Sequence, residues 1–164
     1  MTARFAVEKT LGKLAKWLRI LGFDACSEPC GPTGSGPAAV AGRIVLTRTR
    51  RRCRELQGRP FVFIRANDPV DQLKEVVRGL DLSLDDIRPF SRCLLCNAPT
   101  EAVGKDTVRH RVPDFVWENH ERFCECRGCR KVYWSGSHTA RGMARITALF
   151  DEPETVRLHH GSDS

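Results

Sequence analysis

Two cysteine pairs, Cys93-Leu94-Leu95-Cys96 and Cys126-Arg127-Gly128-Cys129, constrain this chain more than any other stretch of it. A C-x2-C segment turns tightly enough to put two thiolates on one side of the backbone. Two such turns facing each other supply the four soft ligands of a tetrahedral zinc site. The flanking residues suit the turn: Arg92 and Asn97 bracket the first pair, and Arg130 and Lys131 follow the second. A site closed by four thiolates keeps no open position for chemistry, so Cys93, Cys96, Cys126 and Cys129 are expected to hold a structural Zn2+. Cys124 falls outside the pair register. Cys26, Cys30 and Cys53 are too dispersed for a second site, and free thiols are expected there.

The chain of 164 residues has room for one full domain and a small appended module. Neither the short apolar core of a signal peptide nor a run of roughly 18 apolar residues occurs, so a cytoplasmic protein off the membrane is expected. In that compartment thiolates meet metal more often than they form disulfides. Net charge is +7, and six arginines fall between Arg43 and Arg54: Arg43, Arg48, Arg50, Arg51, Arg52 and Arg54. Such a density favours a polyanion through counterion release, with RNA the first expectation and a solvated basic loop the alternative. No Walker-type phosphate loop and no Ser-His-Asp spacing is present, and no small-molecule cofactor is implied.

The first ninety residues alternate strand and helix patterns. Arg4–Glu8 is a short apolar strand. Over Thr10–Leu21, Leu11, Leu14, Leu18 and Leu21 recur at helical spacing, with Lys9, Lys13 and Lys16 opposite, Arg19 beside them and Gly22 as the stop. Phe23–Cys26 reads as a second strand, and a loop rich in Gly and Pro follows up to Pro37. Ile44–Thr47 and Phe61–Ile64 are continuous apolar runs, as strands buried on both faces of a parallel sheet require. Asp68, Pro69 and Asp71 form a helix start. The whole predicts an α/β architecture around a mostly parallel sheet. From Cys93 the composition changes, and a closing helix is expected over Thr139–Phe150. Three units result: an α/β domain over 1–90, a zinc ribbon with closing helix over 91–150, and a flexible tail over 151–164.

Several of these stretches resemble one family. The segment from Leu11 to Asp24 looks like the opening signature of the Mut-seven C-terminal RNase domain, and Gly42–Arg48 looks like its central strand motif. Gln72-Leu73 matches its later helix. The cysteine pairs and Tyr133–His138 match its zinc-ribbon end. The resemblance covers residues 4–150. It implies a PIN-like three-layer α/β/α domain with a C-terminal zinc ribbon, and a ribonuclease that holds Mg2+ or Mn2+ in a cluster of acids at the carboxyl ends of parallel strands. Hard cations need oxygen ligands there to activate water and offset developing charge.

The acids match that requirement poorly. Glu8 stands where the family has its first Asp, the second acid's region is Gly31–Pro37, without a carboxylate, and Thr49 replaces the third. Asp68 or Asp71 can contribute, though helix capping explains both. His138 is a candidate general acid or phosphate contact, against a role in capping the following helix. Trp134 is a candidate for base stacking, against packing on the cysteine turn. If the protein is an enzyme, Glu8, Asp68 and His138 are its catalytic candidates. Lys13, Lys16, Arg19, Arg43, Arg48, Arg50, Arg51 and Trp134 are its candidates for RNA contact. Two alternatives stand beside a metal-dependent endoribonuclease: an RNA-binding protein that keeps the fold without cutting, and a toxin-like or protein-interaction module.

Overall fold

A computed structural model describes residues 3–28, 42–56, 58–134 and 136–151, with the backbone alone described at 137–140, 145 and 151. The Gly- and Pro-rich loop after Glu28 and the tail beyond 151 lie outside these residues. Four short strands form one parallel sheet: β1 (Arg4–Val7), β2 (Asp24–Ser27), β3 (Ile44–Thr47) and β4 (Phe61–Phe63), in the order β2-β1-β3-β4. Thus β4 is an edge strand with Phe61 exposed, and not buried on both faces as its apolar run suggests. The two central strands are covered on both faces, which is why they read as unbroken apolar stretches. Phe5, Ala6, Val7, Val45 and Leu46 are fully buried.

The pleat divides those side chains between two layers. Phe5, Val7 and Leu46 join the main core with Leu11, Leu14, Leu18 and Leu21. All but Leu11 and Leu21 of those leucines lie on α1 (Gly12–Ile20), which a 3-10 turn at Lys9–Leu11 precedes. The same core takes Leu73, Val76 and Val77 from α3 (Pro69–Gly79). The helix start expected at Asp68 is present, its carboxylate accepting from the Val70 amide at 2.8 Å. On the other face Ala6 and Val45 meet Leu56, just beyond α2 (Arg50–Glu55). No apolar periodicity announces α2, because its six residues carry no buried side chain. Ion pairs from Arg51 to Glu55 and from Arg52 to Glu28 hold it instead.

The ribbon is a separate antiparallel sheet of β5 (Thr100–Val103), β6 (Phe123–Cys126) and β7 (Val132–Trp134), with β6 in the middle. The insertion between β5 and β6 contains α4 (Asp114–Asn119) and builds a small core of Val108, Val112, Phe123 and Val132. The closing helix, α5 (Ser137–Asp151), returns to the first core, where Ile146 and Leu149 are buried. No helix among the described residues is long and apolar enough to cross a membrane. Cys53 is a free thiol, as expected, and so is Cys124, outside the cysteine cluster; Cys26 is disulfide-bonded, contrary to expectation, and Cys30 lies outside the described residues.

Gly22 turns the chain from α1 into β2 with φ of +92°, and a Cβ there would stand 2.0 Å from the Arg88 carbonyl oxygen. That close approach lets the Arg88 amide donate to Leu21 and the Phe90 amide to Ile20, tying the segment before the ribbon to the end of α1. Gly22→Ala is expected to lower the unfolding free energy by at least about 2 kcal/mol, through both the left-handed backbone and the clash. Gly12→Ala, at an open helix start with nothing within 4 Å, should change stability by less than about 1 kcal/mol. Urea unfolding of the two variants gives the comparison, and equal midpoints would contradict the close approach at Gly22.

Candidate metal centre and nucleic-acid interface

The Sγ atoms of Cys93, Cys96, Cys126 and Cys129 all lie within 4.8 Å of one another. Tetrahedral metal–sulfur bonds of about 2.3 Å separate sulfurs by about 3.8 Å. Here Cys93 and Cys129 are 3.6 Å apart, and Cys96 and Cys126 are 3.3 Å apart. The two turns are built alike. The Asn97 amide donates to the Cys93 carbonyl at 3.0 Å and the Arg130 amide to the Cys126 carbonyl at 3.1 Å. Asn97 and Arg130 both adopt left-handed backbone, with φ of 67° and 62°. Amides also face sulfur: Cys96 donates to Cys93 Sγ, and Gly128 and Cys129 donate to Cys126 Sγ.

These donors favour thiolate. Burial opposes ionisation of Cys93, but hydrogen bonds from the Cys96 amide and the Tyr133 hydroxyl bring its thiol down to about 6. Cys129 moves the other way, to about 12: a backbone hydrogen bond at Lys131 lowers it, and burial with the crowding of Cys93, Cys126 and Cys96 outweighs that. Four thiols at this spacing cannot all ionise without a cation among them. The cluster fits a metal ion such as zinc, with amide donors to sulfur already in place.

The first cysteine turn is latched to the α/β domain by charged groups. Arg19, only 7% exposed, donates from Nε to the Ala25 carbonyl at 2.8 Å, and from Nη1 to the carbonyls of Leu94 at 2.9 Å and Leu95 at 3.2 Å. Asn97 bridges as well, accepting from the Ala25 amide at 3.0 Å and donating to Asp24 at 2.7 Å. Asp24 also accepts from Arg43 at 2.7 and 3.0 Å. Burial pushes the Asp24 carboxyl up, but the hydrogen bonds from Arg43 and Asn97 win and hold it at about 2.

Beside this latch, at the carboxyl end of the sheet, lies a cavity of about 550 Å³. Lys13, Lys16, Arg19 and Arg48 line it, and Leu94 and Leu95 of the cysteine turn complete the wall. No carboxylate occurs among its described lining residues. Glu8 sits at the end of β1 as expected, but donors enclose its carboxylate. Oε1 accepts from the hydroxyls of Thr10 at 2.8 Å and Thr49 at 3.1 Å. Oε2 accepts from the Thr47 hydroxyl and from the Arg48 amide at 3.0 Å. Burial raises its pKa, and the donations from Thr47, Arg48, Thr10 and Thr49 bring it below the ordinary value.

The other acids are engaged too. Asp68 caps α3, Glu28 pairs with Arg52 at 2.9 Å, and Glu75 accepts from the amides of Arg65 and Ala66. Residues 29–41 contribute no Asp or Glu. Among the described residues, the four cysteines are the one group of three or more His, Cys, Asp or Glu side chains placed to share a metal. A Mg2+ or Mn2+ ion wants several oxygens free to bind, and the described residues at the end of the sheet do not fit one.

The arginine run does not form one patch. Arg43 precedes β3 and Arg48 follows it, so the strand carries them to opposite ends of the sheet; Arg43 belongs to the Asp24 latch and Arg48 to the cavity. Arg50 and Arg51 lie on α2, both exposed, with Arg51 paired to Glu55. Trp134 is exposed on the ribbon, and Tyr133 packs on the cysteine turn, its hydroxyl 3.1 Å from Cys93 Sγ and 3.2 Å from the Leu94 amide. His138 is on α5, and its side chain is outside the described ones. Sequence reasoning missed the threonine cage around Glu8 and the role of Asn97. The Thr-Arg-Thr run at the end of β3 and an Asn directly after a C-x2-C pair were the available signals.

The family model of the Mut7-C RNAse domain matches residues 3–146. No curated protein matches, and no solved structure matches.

The depressed Asp24 carboxyl has a pH consequence. With a folded pKa of about 2 against about 4 in the unfolded chain, its stabilisation is complete above about pH 4 and is lost as pH falls through about 2. Asp24→Asn should be less stable at neutral pH and should lose less stability across that acid window than the parent. Urea midpoints measured against pH report both, and parallel curves would show that the latch does not depend on this charge.

Proposed function

The chain belongs to the Mut7-C RNase-domain family, and on that premise we propose that it acts on RNA by gripping the sugar-phosphate backbone in the basic groove, without two-metal hydrolysis. The observation that carries this reading is the pairing of a groove lined by Lys13, Lys16 and Arg48 with a Glu8 carboxylate already saturated by four donors. A metal-dependent nuclease needs the reverse arrangement, with carboxylate oxygens gathered and open to a cation. An anionic backbone needs cations and donors, which the groove offers.

Glu8 acts here as a positioning residue. It ties the end of β1 to the turn after β3, where its bond to the Arg48 amide fixes the backbone that carries the Arg48 side chain. Arg48 in turn donates to Asn67, at the entrance to α3. Lys13 and Lys16 stand on the first turns of α1, on the side that lines the groove. We assign Zn2+ to the four thiolates as scaffold, because a soft, closed four-sulfur site suits that ion and leaves no position for substrate.

Single-stranded RNA is expected to bind with an affinity that falls steeply with salt. Lys13→Ala/Lys16→Ala should reduce the slope of log K against log salt by about 1.4, at roughly 0.7 for each phosphate that is no longer neutralised. The same RNA incubated with Mn2+ should remain intact. Mn2+-dependent products that vanish in Glu8→Gln would overturn the non-hydrolytic reading.

Metal analysis of the purified protein should find about one zinc per chain, by the four-thiolate stoichiometry. Cys93→Ser/Cys126→Ser should carry none. A folded, zinc-free wild-type preparation would contradict the assignment.

A further inference from the structure

A second cleft, of about 450 Å³, opens where α1, the turn at Pro89–Phe90 and the ribbon meet. Trp17, Phe90, Tyr133 and Trp134 line it, with Leu94 and Arg122. We propose that this cleft is a nucleobase subsite, taking an unpaired base of the RNA strand whose backbone lies in the basic groove. The inference rests on the backbone-binding reading and extends it from phosphate to base.

Three observations support a base as the occupant. First, the cleft and the groove lie on either side of one residue, because Leu94 lines both. Along α1, Lys13 faces the groove and Trp17, four residues on, faces the cleft. That offset is about 6 Å along the helix axis, so one helix presents a cation to a phosphate and an indole to the base beside it.

Second, the aromatic groups are held in place rather than left to pack inward. Phe90 has φ of 61°, a left-handed backbone that a bulky side chain adopts only under constraint. The constraint is visible: its amide donates to Ile20, and its carbonyl accepts from the Thr100 hydroxyl at 2.6 Å. The Tyr133 ring is fixed by its hydroxyl on Cys93 and Leu94. Trp134 stays 36% exposed although it is among the largest apolar side chains of the molecule. Rigid aromatic surface costs little ordering on binding.

Third, the chemistry is that of single-strand recognition. Aromatic faces accept any base, and a guanidinium such as that of Arg122 stacks on them. A cleft of this volume suits a small planar group.

The test uses the full chain, as purified, with two probes: a short oligouridine, and the same sugar-phosphate chain with its bases removed. The base-bearing probe is expected to bind about tenfold tighter, the size of one stacked base. In Trp134→Ala that advantage should fall below about twofold while the abasic probe binds as before, and Trp134→Phe should restore it. Equal affinities for the two probes in the wild type would overturn the subsite and leave backbone binding standing. Failure of both probes to bind would overturn both readings. A wild-type dimer in sedimentation that Trp134→Ala dissolves would assign the cleft to a second copy of the chain, against the proposal.

Discussion

Arg19 leaves the last turn of α1 between the sheet and the first cysteine turn, and its guanidinium satisfies backbone carbonyls from both. A buried cation is costly unless its donors are all used. Burial lowers the pKa of Arg19, and the negative charge of Cys93, Cys96 and Asp24 opposes that shift. Arginine suits the position for a geometric reason. Its planar fork reaches Ala25 from Nε and Leu94 with Leu95 from Nη1 at once, whereas a lysine ammonium is a single point of donation. The cysteine turn therefore cannot move relative to α1 without leaving carbonyls and a charge unpaired.

The groove inherits its shape from that latch. Leu94 and Leu95 form its wall while their carbonyls accept from Arg19. The cysteine cluster thus contributes to the groove through packing. On the opposite side, Glu8 fixes the turn after β3 with three hydroxyls and an amide. A carboxylate at the end of a central parallel strand needs partners for its charge, and here O–H and N–H donors from the protein itself supply them.

Most of the fold was legible because its signals are local. The leucine spacing of α1, the Asp68-Pro69 start of α3 and the doubly buried β3 are each set by residues close in sequence. So were the two cysteine turns, since the C-x2-C spacing already dictates their geometry. Arg19 was not legible: helical position places it beside Lys16, and only a contact 75 residues away turns it inward. The arginine run misled for a related reason. A strand of four residues separates Arg43 from Arg48, so neighbours in composition become opposite ends of a sheet. The helix of α2 had no apolar face to announce it, being held by ion pairs instead.

A net charge of +7 understates how positive the groove is, because many of the acids are used elsewhere. Asp24 neutralises Arg43, Glu28 and Glu55 meet Arg52, Glu125 holds Arg111 and Arg130, and Asp68 and Glu75 face backbone amides. Each of these carboxylates stabilises a local element, and none lines the groove. Lys13, Lys16 and Arg48 therefore face the cavity without an acid among its described lining residues. Cations gathered in a concave site repel one another, and that repulsion is relieved most by a partner that brings several negative charges in a row. On the proposed reading, this repulsion favours a polyanion over a single small anion.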